Sequence, residues 1–163
     1  MSAKLLEVED LTVEIGRKGA GVRVLESISF SLEAGQSIGI VGESGSGKSM
    51  TALALLRLMP QAARIAAGRV RFDGQDLLSL PATAMQKLRG RDIAMVFQEP
   101  MNALNPVMRI GAQIGETILV HEPVSAAARR ARVLDLFRPV GIPDPRPGST
   151  PIRMNFPVAS GSA

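Results

Sequence analysis

Residues 42–49 read GESGSGKS, and the types and spacing specify a chemistry. The pattern is G-x-x-x-x-G-K-[ST], in which Gly42, Gly45 and Gly47 let backbone N–H groups curl around a polyphosphate without side-chain clashes. Glu43, Ser44 and Ser46 complete the loop. Lys48 carries the ammonium that reaches the β- and γ-phosphates of a nucleotide such as ATP, and the Ser49 hydroxyl is placed to ligate Mg2+. A helix starting here adds a partial positive charge of roughly half a unit at the same point. The competing reading is a glycine-rich turn with an incidental lysine. A buried apolar run before the loop and a helical period after it argue against that. Further along, Gln98 stands where an apolar run gives way to a loop. Such an uncharged amide can ligate Mg2+ or orient water without adding charge beside phosphates. Taken alone, a glutamine there is an ordinary solvated loop residue.

The elements that must carry these residues are legible in the pattern. Residues 5–15, LLEVEDLTVEI, alternate in two short runs and predict strand, GRKGAG predicts a hairpin loop, and VRVLESISFSL alternates again with Ile28, Phe30 and Leu32 on one face. EAGQ is a turn, and SIGIVG reads as a buried strand delivering the chain to Gly42. From Ser49 the period becomes helical through Leu53, Leu56 and Met59, with Pro60 as the stop. GRVRFDGQDL is strand and turn, LPATAMQKLRG a helix, and DIAMVF a second buried strand ending near Gln98. Residues 107–120 and 125–138 predict two helices, the second capped by Ser125.

Composition limits what this scaffold does. The chain has 163 residues, one ordinary domain's worth, with 45% apolar and 21% charged residues and no cysteine, so thiolate chemistry and disulfides are excluded. No apolar run reaches the ~20 residues of a membrane span, and the acids in MSAKLLEVED do not suit a signal peptide, so a cytoplasmic chain is expected. A net charge of +4 invites a nucleic-acid reading. Acids and bases alternate through most of the chain, however, and no nucleic-acid partner is expected.

Three stretches together, IGIVGESGSGKSMTALALLRLMP, GRVRFDGQDLLSL and LRGRDIAMVFQEPMNALNPVMRIGAQIGE, resemble in order the ATP-binding subunit of ABC transporters. FQEPMNALNP looks most like the dipeptide/oligopeptide (and nickel) importer branch. The resemblance runs from about Leu5 to Pro145. It implies an α/β fold: a partial P-loop NTPase domain with an antiparallel β subdomain and the start of a helical subdomain at about Pro106–Gly141. It implies that Gly42–Ser49 are the Walker A loop and Gln98 the Q-loop glutamine, with ATP and Mg2+ as cofactors and Ser49 and Gln98 toward the metal. The implied partners are two membrane permease subunits, a second ATP-binding subunit and a periplasmic peptide-binding protein. The implied location is the cytoplasmic face of a bacterial inner membrane. Where this family often stacks an aromatic on adenine, the chain has Val22.

The family also uses an LSGGQ-type signature, an apolar strand ending in an Asp and a Glu, and a switch histidine. None is found between Val107 and Ala163; His121, the single histidine, lies between helical segments and is expected to be a solvated residue. Residues 1–145 are thus read as the N-terminal part of the ATP-binding domain, not competent for hydrolysis. The remainder, 146–163, is read as an out-of-frame and disordered tail. After Val140 prolines crowd the chain and acids stop at Asp144. When the last base of each codon in STPIRMNFPVASGSA is joined to the first two of the next, every junction admits one residue of DAYPHEFSGGQRQR, the family's approach to its signature. Three functional classes follow: an ATPase subunit energising peptide import, an inert pseudogene product, and a nucleotide- or permease-binding fragment without catalysis. Sequencing the gene checks the register directly. Codons 149–163 should spell SGGQ in the neighbouring frame, and a neighbouring frame without it excludes the slip near Arg146.

Overall fold

The computed structural model describes residues 4–17, 20–98 and 104–140. The stretch 146–163, expected to be an out-of-frame tail, lies outside them. The chain divides into two units, Met1–Met95 and Val96–Ala163.

In the first unit, strands β1 (Lys4–Ile15), β2 (Val22–Glu33), β3 (Ala63–Phe72) and β4 (Gln75–Asp76) form an antiparallel sheet in the order β2-β1-β3-β4. The expected hairpin is present, with Ile15 opposite Val22 and Val8 opposite Phe30. The two short alternating runs of β1 are explained by an irregularity between Val8 and Leu11, where the register shifts against β2 and Asp10 takes a positive φ of 49°. Buried Thr12 stitches this point: its hydroxyl accepts from the Ser27 N–H at 3.1 Å and donates to the Asp10 carbonyl at 3.3 Å. One face of the sheet is apolar. Val8, Leu11, Val13, Leu25 and Val70 pack with Ala54, Leu77 and Met85 into one buried cluster. The last three come from helix α1 (Lys48–Leu55), the turn after β4 and helix α2 (Ala82–Leu88), so the helix that follows the glycine-rich loop of residues 42–47 is seated on the sheet by its own apolar stripe.

Two expected strands are not formed. Ser37–Val41 and Asp92–Phe97 follow no sheet ladder, apart from one parallel bridge between Arg89 and Ile93. Ile38 and Ile40 are each 47% exposed, Val41 93% and Val96 87%. Their apolar composition favours extended backbone, but a strand exists only when a neighbour takes its N–H and C=O groups, and no described residue does so. Helix α1 is also shorter than expected, ending five residues before Pro60.

The second unit contains α3 (Ile110–His121) and α4 (Ala126–Phe137), followed by a 3-10 turn at Arg138–Val140. Ser125 caps α4 as expected, its hydroxyl accepting from the Ala128 N–H at 3.2 Å. The helices approach closely because Gly111 and Gly115, one turn apart, face Val133 and Phe137 and the Arg129 stem. His121 corrects its expectation. It is half-buried rather than solvated, with Nδ1 shielded and without a hydrogen-bond partner among the described residues.

The sheet depends on one close approach. Gly68 has φ +101°, and a Cβ there would lie 2.6 Å from both the Asp10 oxygen and the Leu11 Cα, backbone atoms that cannot swing aside. Gly68→Ala should therefore cost about 3 kcal/mol of unfolding free energy. Gly35→Ala, at φ +79° with no atom within 4 Å of its Cβ, should cost only about 1 kcal/mol. Urea unfolding of the two variants side by side measures the difference.

Candidate phosphate-binding site

The loop of residues 42–47 joins the extended segment 37–41 to α1 and lies at the surface. Lys48 organises it from within. Its Nζ donates to the Gly42 carbonyl at 2.8 Å, the Glu43 carbonyl at 2.6 Å and the Ser46 hydroxyl at 3.2 Å, using all three of its protons. The loop thus wraps its own cation and places a positive charge at its centre. A turn bond from the Ser46 N–H to the Glu43 carbonyl, 3.2 Å, closes the curl.

Gly47 is the N-cap of α1, with φ 89° and no side chain to offer. A Cβ there would meet Leu25 Cδ2 at 2.5 Å and the Val24 carbonyl at 2.9 Å, so this position is reserved for glycine both by its backbone angle and by the space beside β2. The helix start is consequently uncapped by any side chain, and its first turn contains no acid. Leading N–H groups of a helix need an acceptor, and among the described residues no side chain caps this end. Thr51 secures the next turn, its N–H and hydroxyl both reaching the Gly47 carbonyl, at 2.8 and 3.1 Å. Ser49 is exposed on this turn.

The site residues expected from sequence are therefore placed in two groups. Gly42, Glu43, Ser44, Gly45, Ser46, Gly47, Lys48 and Ser49 form one continuous loop and helix start in the first unit. Gln98 belongs to the second unit, where it is exposed. Among the described residues no cluster of three or more His, Asp or Glu side chains could hold a metal ion, so a metal at this loop would depend on hydroxyl, amide and phosphate oxygens. Val22, the position expected under adenine, is 71% exposed at the start of β2. Beside it, a hydrogen bond to Glu26 and the charges of Glu26 and Glu14 raise the pKa of Arg23 above its ordinary value.

Two features were missed in the sequence. Gln113 of α3 fastens the loop ahead of it: its Nε2 donates to the carbonyls of Asn105 at 2.9 Å and Met108 at 3.1 Å, and its Oε1 accepts from the Asn105 N–H at 2.9 Å. The Asn-Pro pair at 105–106 signals the turn, but nothing in the pattern marks Gln113 as its partner. The second feature is a pair of arginines behind α1, Arg57 and Arg89, hydrogen-bonded to backbone carbonyls there.

The family model described as ABC transporter matches residues 25–156. The chain is 44% identical over 141 residues to the dipeptide transport ATP-binding protein DppD of Escherichia coli (strain K12), covering 86% of this chain and 43% of the relative. It is 46% identical over 142 residues to the peptidoglycan transport ATP-binding protein YejF of Agrobacterium fabrum, covering 86% of this chain and 26% of that one. The chain therefore spans less than half the length of these relatives. Among solved structures, the dimeric, post-hydrolysis ATP-binding cassette MJ0796 bound to ADP and Pi superposes with a TM-score of 0.66 at 20% identity. That match covers 82% of this chain and 56% of the other, a likeness of fold. With the glycine-lysine loop in place ahead of α1 and the match running through it, the chain belongs to the ABC transporter family.

Proposed function

We propose that residues 1–145 are the N-terminal, nucleotide-holding part of the ATP-binding subunit of an importer for peptides. The observation that carries this is the loop itself: a lysine held by two backbone carbonyls and a hydroxyl, at the start of a helix with no side-chain cap. That set of donors suits a polyphosphate. Lys48 would exchange its contacts to Gly42 and Glu43 for phosphate oxygens, and the N–H groups at the start of α1 would donate to the same anion. The Ser49 hydroxyl would hold Mg2+, which when bound neutralises phosphate charge. Val22 offers an aliphatic surface to the base.

The relatives named for dipeptide and peptidoglycan transport support peptide-bearing cargo. In this reading two permease subunits, a second ATP-binding subunit and a periplasmic binding protein complete the machine at the cytoplasmic face of the membrane. Among the described residues no helix is long and apolar enough to cross a membrane. For residues 1–145 by themselves we propose binding without turnover, as the family resemblance implies.

A second reading, an inert polypeptide, is favoured by the bare apolar segment at Ile38–Val41, since exposed unpaired strand segments cost stability and invite association. Nucleotide affinity separates the two. Titration of the purified chain with a fluorescent ATP analogue and Mg2+ should saturate, and Lys48→Ala should weaken binding at least about tenfold, as loss of a charge-assisted bond requires. Phosphate release should not exceed that of Lys48→Ala. A chain that binds no better than the variant is the inert one, and release above the variant excludes the assignment of binding without turnover.

A further inference from the structure

Helix α1 ends in a way its sequence does not favour. The Leu58 N–H reaches back to the Leu53 carbonyl at 2.9 Å and the Arg57 N–H to the Ala54 carbonyl at 3.0 Å. This pair of bonds closes a helix with the residue after the C-cap in the left-handed region, a place where glycine is the usual occupant. Here it is Arg57, at φ 52°, which costs about 1 kcal/mol relative to glycine. The side chain supplies what glycine lacks. Its Nη1 donates to the carbonyls of Leu77 at 3.2 Å and Leu80 at 2.5 Å, tying the helix end to the segment between β4 and α2. Arg89, which follows α2, completes the arrangement from the other side. Its Nε donates to the Leu56 carbonyl at 2.7 Å and its Nη2 to the Arg57 carbonyl at 3.0 Å. The carbonyls that this helix leaves open at its end are therefore met by a guanidinium, whose charge also suits the negative end of the helix.

The helix so fastened is only eight residues long, and its first residue is Lys48. About 12 Å of backbone, at 1.5 Å per residue, separates the two ends. A tilt at the rear is transmitted directly to the N–H groups and the ammonium at the front. Its apolar seat on the sheet, through Ala54, fixes which face is buried but leaves sliding along the axis less restrained, because dispersion contacts are not directional.

We infer that Arg57 and Arg89 are positioning residues for nucleotide binding: a two-arginine clamp behind the phosphate loop that sets where Lys48 and the leading amides of α1 meet a polyphosphate. This rests on the nucleotide-holding reading above and adds to it residues that touch no ligand. Small displacements of binding groups weaken binding steeply, so the clamp should be visible in affinity as well as in stability.

The test uses the full 163-residue chain and a fluorescent ATP analogue with Mg2+, at a temperature where circular dichroism shows every variant folded. Arg57→Gly removes the side-chain ties while relieving the left-handed strain, so its melting temperature should stay near that of the parent while affinity falls about fivefold. Arg89→Ala should lose about tenfold, and Arg89→Lys should recover part of that by reaching one of the two carbonyls. A merely structural pair would lower melting temperatures and leave affinity alone. Folded Arg57→Gly and Arg89→Ala chains that bind as the parent does, while Lys48→Ala does not, overturn the clamp and leave the nucleotide reading standing. If the parent binds no better than Lys48→Ala, the nucleotide reading fails and the clamp with it.

Discussion

The whole arrangement depends on where backbone hydrogen-bonding groups find partners. An N–H or C=O without one costs most where water is excluded, and the elements of the first unit meet that demand in different ways. The sheet answers it by pairing β1 on both edges, with β2 and β3. The loop of residues 42–47 answers it with a lysine side chain turned inward. The rear of α1 answers it with two arginines, and the front of α1 has no side-chain cap among the described residues. That asymmetry matters chemically. A short helix closed at its negative end by cations and without a side-chain cap at its positive end presents its leading N–H groups at one point, beside Lys48.

Along the chain, what could be read from sequence was what local chemistry determines. The loop pattern located the site because glycine, lysine and serine at that spacing have few other uses. Period-2 alternation gave β1 and β2, and even the break in β1 at Asp10 was legible as two runs rather than one. The Ser125 cap was legible because a serine ahead of a helical period has one obvious role. Segments 37–41 and 92–97 were misread for a corresponding reason. Composition reports a preference for extended backbone, whereas a strand is a relation between two segments. Arg57 escaped notice because its position calls for glycine, so no local rule predicts an arginine there. It became interpretable only once Leu77 and Leu80, about 20 residues on, were seen beside it.

The same relation explains why Lys48 sits as it does. Its three contacts to loop oxygens are hydrogen bonds any phosphate must displace, so they oppose binding in part. They also hold the ammonium centred and the loop curled before an anion arrives. Preorganisation of this kind lowers the ordering entropy lost on binding. The proposed exchange would be favourable because charged phosphate oxygens accept more strongly than neutral carbonyls do. Gly47 contributes by being small: the cradle can lie against Leu25 and Val24, where any side chain would push it off the sheet that supports α1.

On the proposed reading, stability and nucleotide binding would be coupled through one element. Folded domains rest on a margin of about 5–15 kcal/mol, and an apolar segment such as Ile38–Val41 left without a strand partner draws on that margin, because its side chains keep the hydration they would lose in a sheet. The segment leads straight into the phosphate loop. A ligand that binds only the folded chain adds about 2.7 kcal/mol at a hundred times its dissociation constant. That is comparable to the transfer of one large aliphatic side chain out of water. A polyphosphate held by Lys48 and the start of α1 would thus offset a deficit created one residue upstream of Gly42, and its effect on folding would pass through α1 to the core at Ala54. The arginines behind the helix make that passage mechanical rather than diffuse: they fix the helix to the β4–α2 segment. Order imposed at the loop is then shared with the sheet instead of being lost in a helix free to slide.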